Sequence, residues 1–342
     1  MLGVQPSDLL HPTPKGLYCP PGDFFIDPVA AVDRAVITHG HADHARAGHG
    51  AVMATPETIA IMAVRYGEAF TERREPLSLG EVATINGVTV WFAPAGHILG
   101  SAQAVVEHQG IRMVVTGDYK RRRDPTCAPF EPVLCDVLIS EATFALPVFK
   151  HPDTAGEARK LIRSAEQFPE RAHLVGAYAL GKAQRLICHL REEGYDAPIF
   201  IHGAMQKLCD LYEEHGIALG PLEPATIEKG KDSKERFAGQ IVICPPSAIG
   251  ATWARRFPDP LPVFASGWMR VRQRAKQRGV ELPLIISDHA DWDELTETVR
   301  EVNPAELWVT HGRDDAFVRW AELEGRKARP LHLVGYDDES ET

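Results

Sequence analysis

The sequence predicts an α/β fold, and three features carry that prediction. The first ~140 residues hold short apolar segments that read as strands, with few helices between them. From about residue 150 strands and helices alternate, the pattern of βαβ units on a parallel sheet. The last stretch then returns to strand, helix, strand. At 342 residues the chain exceeds the comfortable size of one core, so two domains, or one with a large insertion, are expected.

Taken in order, Phe24–Asp27 and Ala35–His39 read as strands that end in polar residues. Residues 55–66 have helical spacing, with Thr55 as N-cap and Pro56 in the first turn. Residues 81–93 alternate as two strands around Asn86-Gly87, a hairpin turn pair, and 101–107 with 111–116 form another pair around Gln109-Gly110. Residues 133–140 read as one buried strand. Beyond it, 154–168 and 181–194 read as helices, and 173–178, 198–203 and 240–245 as buried strands between them. A strand at 282–287, a helix from Trp292 to Val302 and a strand at 306–310 complete the reading. No internal repeat is visible. The acidic tail 336–342 is expected to fray.

Composition narrows the class. With 44% hydrophobic and 25% charged residues the chain reads as an ordinary soluble globular protein. No apolar run nears the ~18–20 residues of a membrane span, and the N-terminus has neither the basic nor the apolar region of a signal peptide. Cys19, Cys127, Cys135, Cys188, Cys209 and Cys244 are scattered without a C-x-x-C pair. They read as reduced thiols, which points to a cytoplasmic protein. The net charge of −10 weighs mildly against a nucleic-acid binder, although a local groove can stay positive while acids sit elsewhere.

The strongest chemical signal is His39-Gly40-His41-Ala42-Asp43-His44 at the end of an apolar strand. His39 and His41 are two apart and share a side if strand geometry persists. Asp43 and His44 follow where the chain must turn, into the first turn of a helix. Neutral imidazoles and carboxylates suit zinc, and manganese is the alternative ion. One histidine alone would be a structural residue; four possible ligands in six residues are not an accident of composition.

This H-x-H-x-D-H run resembles the signature of metallo-β-lactamase-fold hydrolases. The resemblance implies an αββα sandwich binding two divalent metal ions. His39, His41 and His97 (in PAGHILGS) would hold the first, Asp43 and His44 the second, with Asp118 (in TGD) bridging both. Asp27 would orient the metal loop from behind. Roughly 140 residues then separate Glu141 from the segment Ser287-Asp288-His289-Ala290-Asp291, a pattern similar to the β-CASP nucleases, which carry an inserted cap. That family implies His311 (in WVTHG) as the last ligand of the second metal. It implies His289 as the general acid facing the leaving group, held by Glu141. The division expected is 1–147 and 282–342 for the metallo-β-lactamase domain and 148–281 for the β-CASP cap.

Further segments carry the resemblance into the cap. Tyr178-Ala179-Leu180-Gly181-Lys182-Ala183-Gln184-Arg185 is similar to a β-CASP stretch at a helix start, where backbone N–H groups favour an anion and Lys182 adds charge. The segment 264–270, with Ser266, Gly267 and Arg270, resembles one that lines the cleft. Two basic runs, Lys120–Arg123 and Arg270–Arg278, are candidates for phosphate contact, with a solvated surface as the alternative. The remaining histidines, His202 among them, fit no ligand position.

Strings such as PTPKGLYCPPGDFFIDP and TGDYKRRRDPTCAPFEPV are similar to the bacterial ligase-associated DNA exonucleases. This implies a two-metal exodeoxyribonuclease in DNA repair, working with a DNA ligase and a helicase on DNA. RNA-processing relatives carry histidine where this chain has His311, while crosslink-repair DNA enzymes carry valine, so an RNA-processing β-CASP ribonuclease is the alternative. A small-molecule metallohydrolase, or a scaffold without catalysis, accounts less well for the insertion and for the full ligand set.

Overall fold

The computed structural model describes residues 5–226, 234–312 and 314–333. The acidic tail lies outside them. The chain divides into two compact units, Met1–Lys150 with His289–Ser340, and His151–Asp288.

The first unit opens with a short helix α1 (Pro6–Leu9) and a sheet β1 (His11–Thr13), β2 (Gly16–Cys19), β3 (Phe24–Ile26), β4 (Arg34–Val36), β5 (His49–Ala54) and β6 (Thr71–Pro76), in that spatial order. Helix α2 (Pro56–Tyr66) lies between β5 and β6 in the chain; Thr55 caps it by accepting the Thr58 N–H at 3.2 Å. Strands β7 (Val82–Ile85), β8 (Val88–Pro94), β9 (Ala102–His108), β10 (Ile111–Val115) and β11 (Val137–Ser140) start a second sheet.

In the second unit β12 (His173–Gly176), β13 (Ile199–Ile201), β14 (Leu222–Pro224), β15 (Ile241–Cys244), β16 (Leu261–Ala265) and β17 (Leu282–Leu284) form a parallel sheet in the order β14-β13-β15-β12-β16-β17. Helices α3 (Thr154–Gln167), α4 (Lys182–Glu192), α5 (Gln206–Glu214), α6 (Pro246–Ile249) and α7 (Arg272–Gln277) connect these strands. Strands β12, β13 and β15 are buried along their whole length, as a sheet covered on both faces requires. The chain then returns to the first unit through α8 (Trp292–Val302), β18 (Glu306–Val309), α9 (Asp314–Leu323) and β19 (Lys327–Pro330), and β18 pairs in parallel with β11.

Side-chain alternation makes the first unit a four-layer sandwich. Val88, Val90 and Phe92, Ala104 and Val106, Met113 and Val115, and Val137 and Ile139 point inward and join Leu17, Phe24, Ile26 and Val36 of the facing sheet in one core. The opposite faces of the same strands, at Val105, Val114, Leu138, Leu307 and Val309, pack on α8 and α9 through Leu295, Val299 and Phe317. On the other side Ala35, Val52 and Ala54 pack on α2 through Ile59 and Met62. This is the αββα arrangement expected.

Several expectations shift. The cap boundary expected at 281/282 moves to 288/289, because β17 pairs with β16 and so belongs to the second unit's sheet. Strand β4 stops at Val36 and β11 begins at Val137, so the strands are shorter than their apolar runs. No helix starts at Asp43. His44 N–H and Ala45 N–H both reach the His41 carbonyl, at 3.2 and 2.7 Å, and the chain leaves after that single turn. One turn fixes several residues for little hydrogen bonding, so side-chain contacts, not helix propagation, must hold it. Strand β6, Thr-Glu-Arg-Arg-Glu-Pro, carries no apolar alternation to betray it; it is a charged edge strand paired through its backbone to β5.

Candidate metal centre

The candidate ligands stand at the ends of strands of the first unit, where the ladder stops and the chain turns. His39 follows β4, His97 follows β8, Asp118 follows β10, Glu141 follows β11 and His311 follows β18. Their loops are packed tightly against one another. Gly117, with φ +54°, lies so close to Thr38 that a Cβ would come within 2.6 Å of its hydroxyl. Gly312, with φ +73°, lies on the backbone beyond Glu141, where a Cβ would meet the Ala142 carbonyl at 2.3 Å. His311 itself has φ +59°, an uncommon conformation for a residue with a side chain.

His39, His41, His97 and Asp118 each offer one ligand atom, and these four atoms lie within 4.8 Å of one another. His39 Nε2 and His97 Nε2 stand 3.4 and 3.7 Å from Asp118 Oδ2, and His97 Nε2 stands 3.0 Å from His41 Nδ1. Nitrogens about 2.0–2.1 Å from one tetrahedral ion would be about 3.4 Å apart, so this spacing fits a single cation. His39 Nε2 is fully buried and makes no hydrogen bond among the described residues, although an orphaned buried ring nitrogen is costly. Three imidazoles and a carboxylate therefore fit a divalent ion.

The second candidate set is centred on His44. Its Nε2 is 3.5 Å from Asp118 Oδ2 and 3.6 Å from Asp43 Oδ2, and its ring stacks on His311 with centroids 5.2 Å apart. Asp27 sets the orientation. Its Oδ2 is 2.8 Å from His44 Nδ1, and its two oxygens accept the Thr38 N–H at 2.8 Å and the Thr38 hydroxyl at 2.6 Å. With Nδ1 engaged, Nε2 is the nitrogen turned toward Asp43 and Asp118. Thr38 was not singled out in the sequence; the only sign of it was its place before His39.

The electrostatics agree with a cation site. Burial holds the His39 imidazole well below its ordinary pKa, with the neighbouring imidazoles pushing the same way, so it is neutral and able to coordinate. Burial likewise holds His311 well below, helped by His44. Burial raises Asp118 to about 7, against the pull of His44 and His289. At His44 burial is outweighed by the carboxylates of Asp118, Asp43 and Asp27, which raise it to about 10. A divalent cation would draw Asp118 to its ionised form and His44 to its neutral form.

Beside these ligands His289 and Glu141 form a buried pair. Glu141 Oε2 and Oε1 lie 2.9 and 3.1 Å from His289 Nδ1, and the His289 and His97 ring centroids are 4.9 Å apart. Glu141 Oε1 also accepts the Tyr119 N–H at 2.8 Å, and the Ala290 N–H donates to the Tyr119 carbonyl at 2.6 Å. The residue after Asp118 is thus tied to Glu141 and to the residue that follows His289.

The basic run after Asp118 is used internally. Lys120 is buried with its Nζ 2.6 Å from Asp124 Oδ2. Arg121 pairs with Glu301 at 2.5 Å and Glu297 at 3.4 Å. Arg122 binds Asp291, and its backbone N–H donates to Glu294 Oε1 at 2.9 Å. Phosphate contact by these three side chains gives way to this network. Glu294 was missed in the sequence, although Asp291-x-x-Glu294 before an apolar run is a readable capping box, and it does cap α8.

Among the candidates of the second unit, Lys182 is buried, with its Nζ 3.3 Å from Asp288 Oδ2 and 4.6 Å from the Tyr178 ring centroid. Arg185, also buried, binds Asp288 and the Ser287 carbonyl. The anion at this helix start is a side chain of the chain itself. Ser266 is buried and accepts the Trp268 N–H at 3.2 Å, Gly267 is buried beside it, and Arg270 is exposed. His202 caps a turn by accepting the Ala204 N–H at 3.1 Å. The six cysteines are free, and burial raises the thiols of Cys19 and Cys209 to about 11 and those of Cys135 and Cys244 to about 12. Among the described residues no helix is long and apolar enough to cross a membrane.

Residues 27–171 match the family model of the metallo-beta-lactamase superfamily. A probable DNA ligase of Opitutus terrae is 29% identical over 330 residues, covering 95% of this chain and 31% of that protein. Cleavage and polyadenylation specificity factor 73 of Drosophila melanogaster is 25% identical over 299 residues, 74% of this chain and 44% of that one. Endoribonuclease YSH1 of Mycosarcoma maydis is 28% identical over 245 residues, 58% of this chain and 27% of that one. The chain thus spans less than half the length of these relatives. A crystal structure of a protein of unknown function from Enterococcus faecalis V583 shares the fold, with a TM-score of 0.52 and 14% identity over 81% of this chain and 74% of that one. The strand-end cluster of histidines and aspartates and the matched span from Asp27 onward lead to one conclusion: this chain carries a metallo-β-lactamase domain.

Proposed function

We propose that this protein is a metal-dependent nuclease of the β-CASP type that hydrolyses phosphodiester bonds in DNA, as an exonuclease in DNA repair. The observation that carries the reading is the His289–Glu141 pair standing beside the His39, His41, His97 and Asp118 cluster. A phosphodiester needs charge neutralised at phosphorus and a proton delivered to the departing sugar oxygen; a cation held by the cluster would supply the first, and His289 with Glu141 the second.

His39, His41, His97 and Asp118 would hold one ion, and Asp43, His44, His311 and Asp118 a second, with Zn²⁺ favoured and Mn²⁺ as the alternative. When bound, such ions lower the pKa of water to near neutrality and stabilise charge on the phosphate. Glu141, accepting from Nδ1, keeps the His289 proton count and ring angle suited to donation from Nε2. Asp27 and Thr38 keep His44 turned toward its partners.

DNA is favoured because the alignment with a probable DNA ligase runs along 95% of this chain. Partnership with a DNA ligase and a helicase follows the resemblance to the ligase-associated DNA exonucleases, and free thiols without a disulfide suit a cytoplasmic setting. An RNA-processing nuclease is the second reading, favoured by the endoribonuclease and polyadenylation-factor relatives. The test is side-by-side digestion of matched DNA and RNA strands, labelled at the 5′ or 3′ end, with zinc or manganese. Stepwise shortening of DNA with RNA left intact is expected; the reverse pattern selects the second reading, and no cleavage of either rejects both.

A further inference from the structure

We infer that the exposed basic face formed by residues 270–278 of the second unit docks the phosphodiester backbone of a single-stranded nucleic acid, an inference that rests on the nuclease reading for the identity of the polymer. The stretch Phe264–Val280 contains five arginines and lysines and no aspartate or glutamate. It runs from the end of β16 through a tight turn at Gly267–Arg270 into α7. Arg270, Arg272, Lys276 and Arg278 are exposed and Arg274 is half-buried. Among the described residues Arg270, Arg272, Arg274 and Lys276 make no ion pair. The run at Lys120–Arg122 is the contrast, since each of its cations has an acid.

An ordinary solvated helix face mixes both signs at i, i+4 spacing. This face instead places guanidinium groups on aromatic rings. Arg274 Cζ is 4.0 Å from the Trp268 ring centroid and Arg278 Cζ 5.0 Å from that of Phe264. A ring holds a guanidinium in place without neutralising it, and leaves its N–H edge for an anion. Less side-chain entropy is then lost on binding. In a chain of net charge −10, uncompensated like charge kept together needs a partner that rewards it. The six residues of α7 rise about 9 Å, enough to face about two successive phosphates of a strand. Backbone contacts of this kind carry no base information, so DNA and RNA should be held alike.

The test is fluorescence anisotropy of the metal-loaded full chain with labelled 20-nucleotide phosphorothioate strands, DNA and RNA, at 50 and 200 mM KCl. Arg272→Glu with Lys276→Glu reverses two exposed charges that hold nothing in the fold. The double variant should bind both strands at least tenfold more weakly at 50 mM. Its slope of log affinity on log salt should be shallower by about 1.4, two phosphates at ~0.7 each. Metal content and hydrolysis of bis(p-nitrophenyl) phosphate should stay at the parent level. Unchanged affinity and slope would overturn the docking surface while leaving the nuclease reading in place. Tighter binding of the parent chain to phosphatidylserine vesicles than to either strand would also overturn it. Weakened strand binding in the variant, with neither polymer nor small diester cleaved by the parent, would support the surface and reject the nuclease reading.

Discussion

Glu141 and His289 are joined through Nδ1, with carboxylate oxygens at 2.9 and 3.1 Å, and the same carboxylate accepts the backbone N–H of Tyr119, the residue after Asp118. A single acidic group thus sets the angle of the imidazole and ties it to the loop that carries Asp118. Glu141→Gln keeps an acceptor for Tyr119 and removes the negative charge beside Nδ1. Turnover on DNA should fall by about 10²–10⁴-fold, the usual worth of a general acid. Metal stoichiometry, measured by mass spectrometry of the native protein, should be unchanged. Loss of metal together with activity would show that Glu141 supports the centre and not the proton donor.

Asp118 is the residue common to both candidate ligand sets, within 3.7 Å of the reactive nitrogens of His39, His44 and His97. Asp118→Ala should abolish turnover and lower metal content, with the circular dichroism spectrum of the parent retained. Full activity of this variant on DNA would refute the assignment.

Asp27 acts on the centre through His44 and Thr38. Its φ of +45° lies where asparagine is well tolerated, so Asp27→Asn should leave the backbone undisturbed. The weaker acceptor should cost about 10–100-fold in metal affinity, as supporting partners of ligand histidines generally do. Competition with a chromophoric chelator measures it, and an affinity equal to the parent's would remove Asp27 from the site.

Arg122 holds Asp291, the buried N-cap of α8, and its backbone N–H donates to Glu294. Arg122→Ala leaves a buried carboxylate without its cation. The side chain is about one-third exposed, so water can enter, and the loss should be about 2 kcal/mol. Urea unfolding should show it, with partial recovery in Arg122→Lys.

His49 is buried, and its Nδ1 accepts the Val32 N–H at 3.3 Å, which requires a neutral ring. Burial lowers its pKa in the folded state below the ordinary 6.5. Below pH 6.5 the unfolded chain then binds a proton that the folded chain does not, so this contribution to stability is complete above pH 6.5 and is lost as the pH falls. Relative to the parent, His49→Gln should show a flatter decline in urea midpoint between pH 7.5 and 5.5. Parallel declines would mean that His49 does not titrate differently on folding.

Much of the site was legible because metal chemistry uses few residue types at fixed spacing. His39, His41, Asp43 and His44 declare themselves together, and His97, Asp118 and His311 each follow an apolar run that does form a strand. The hairpins at Asn86-Gly87 and Gln109-Gly110 were legible for a similar reason. Their left-handed residues, Asn86 and Gly87 and then Gln109 and Gly110, sit where the chain must reverse. Strand β6 was not legible, because backbone pairing at a sheet edge leaves no apolar pattern behind it.

The sequence by itself determined the α/β class, the layered pattern of inward and outward side chains, and the identity of the ligand types, since these depend on local periodicity and on what a side chain can donate. Only the tertiary structure decided how each charge is used. Lys120, Arg122 and Lys182 are cations that on paper suit an outside anion, yet each meets an acid of the chain, Asp124, Asp291 or Asp288. Among the described residues Arg270, Arg272 and Lys276 remain at the surface without one. The physical reason is distance. Coulomb attraction and burial act between residues 180 positions apart, as at Arg121 and Glu301, and no local pattern records which opposite charge the fold will bring near.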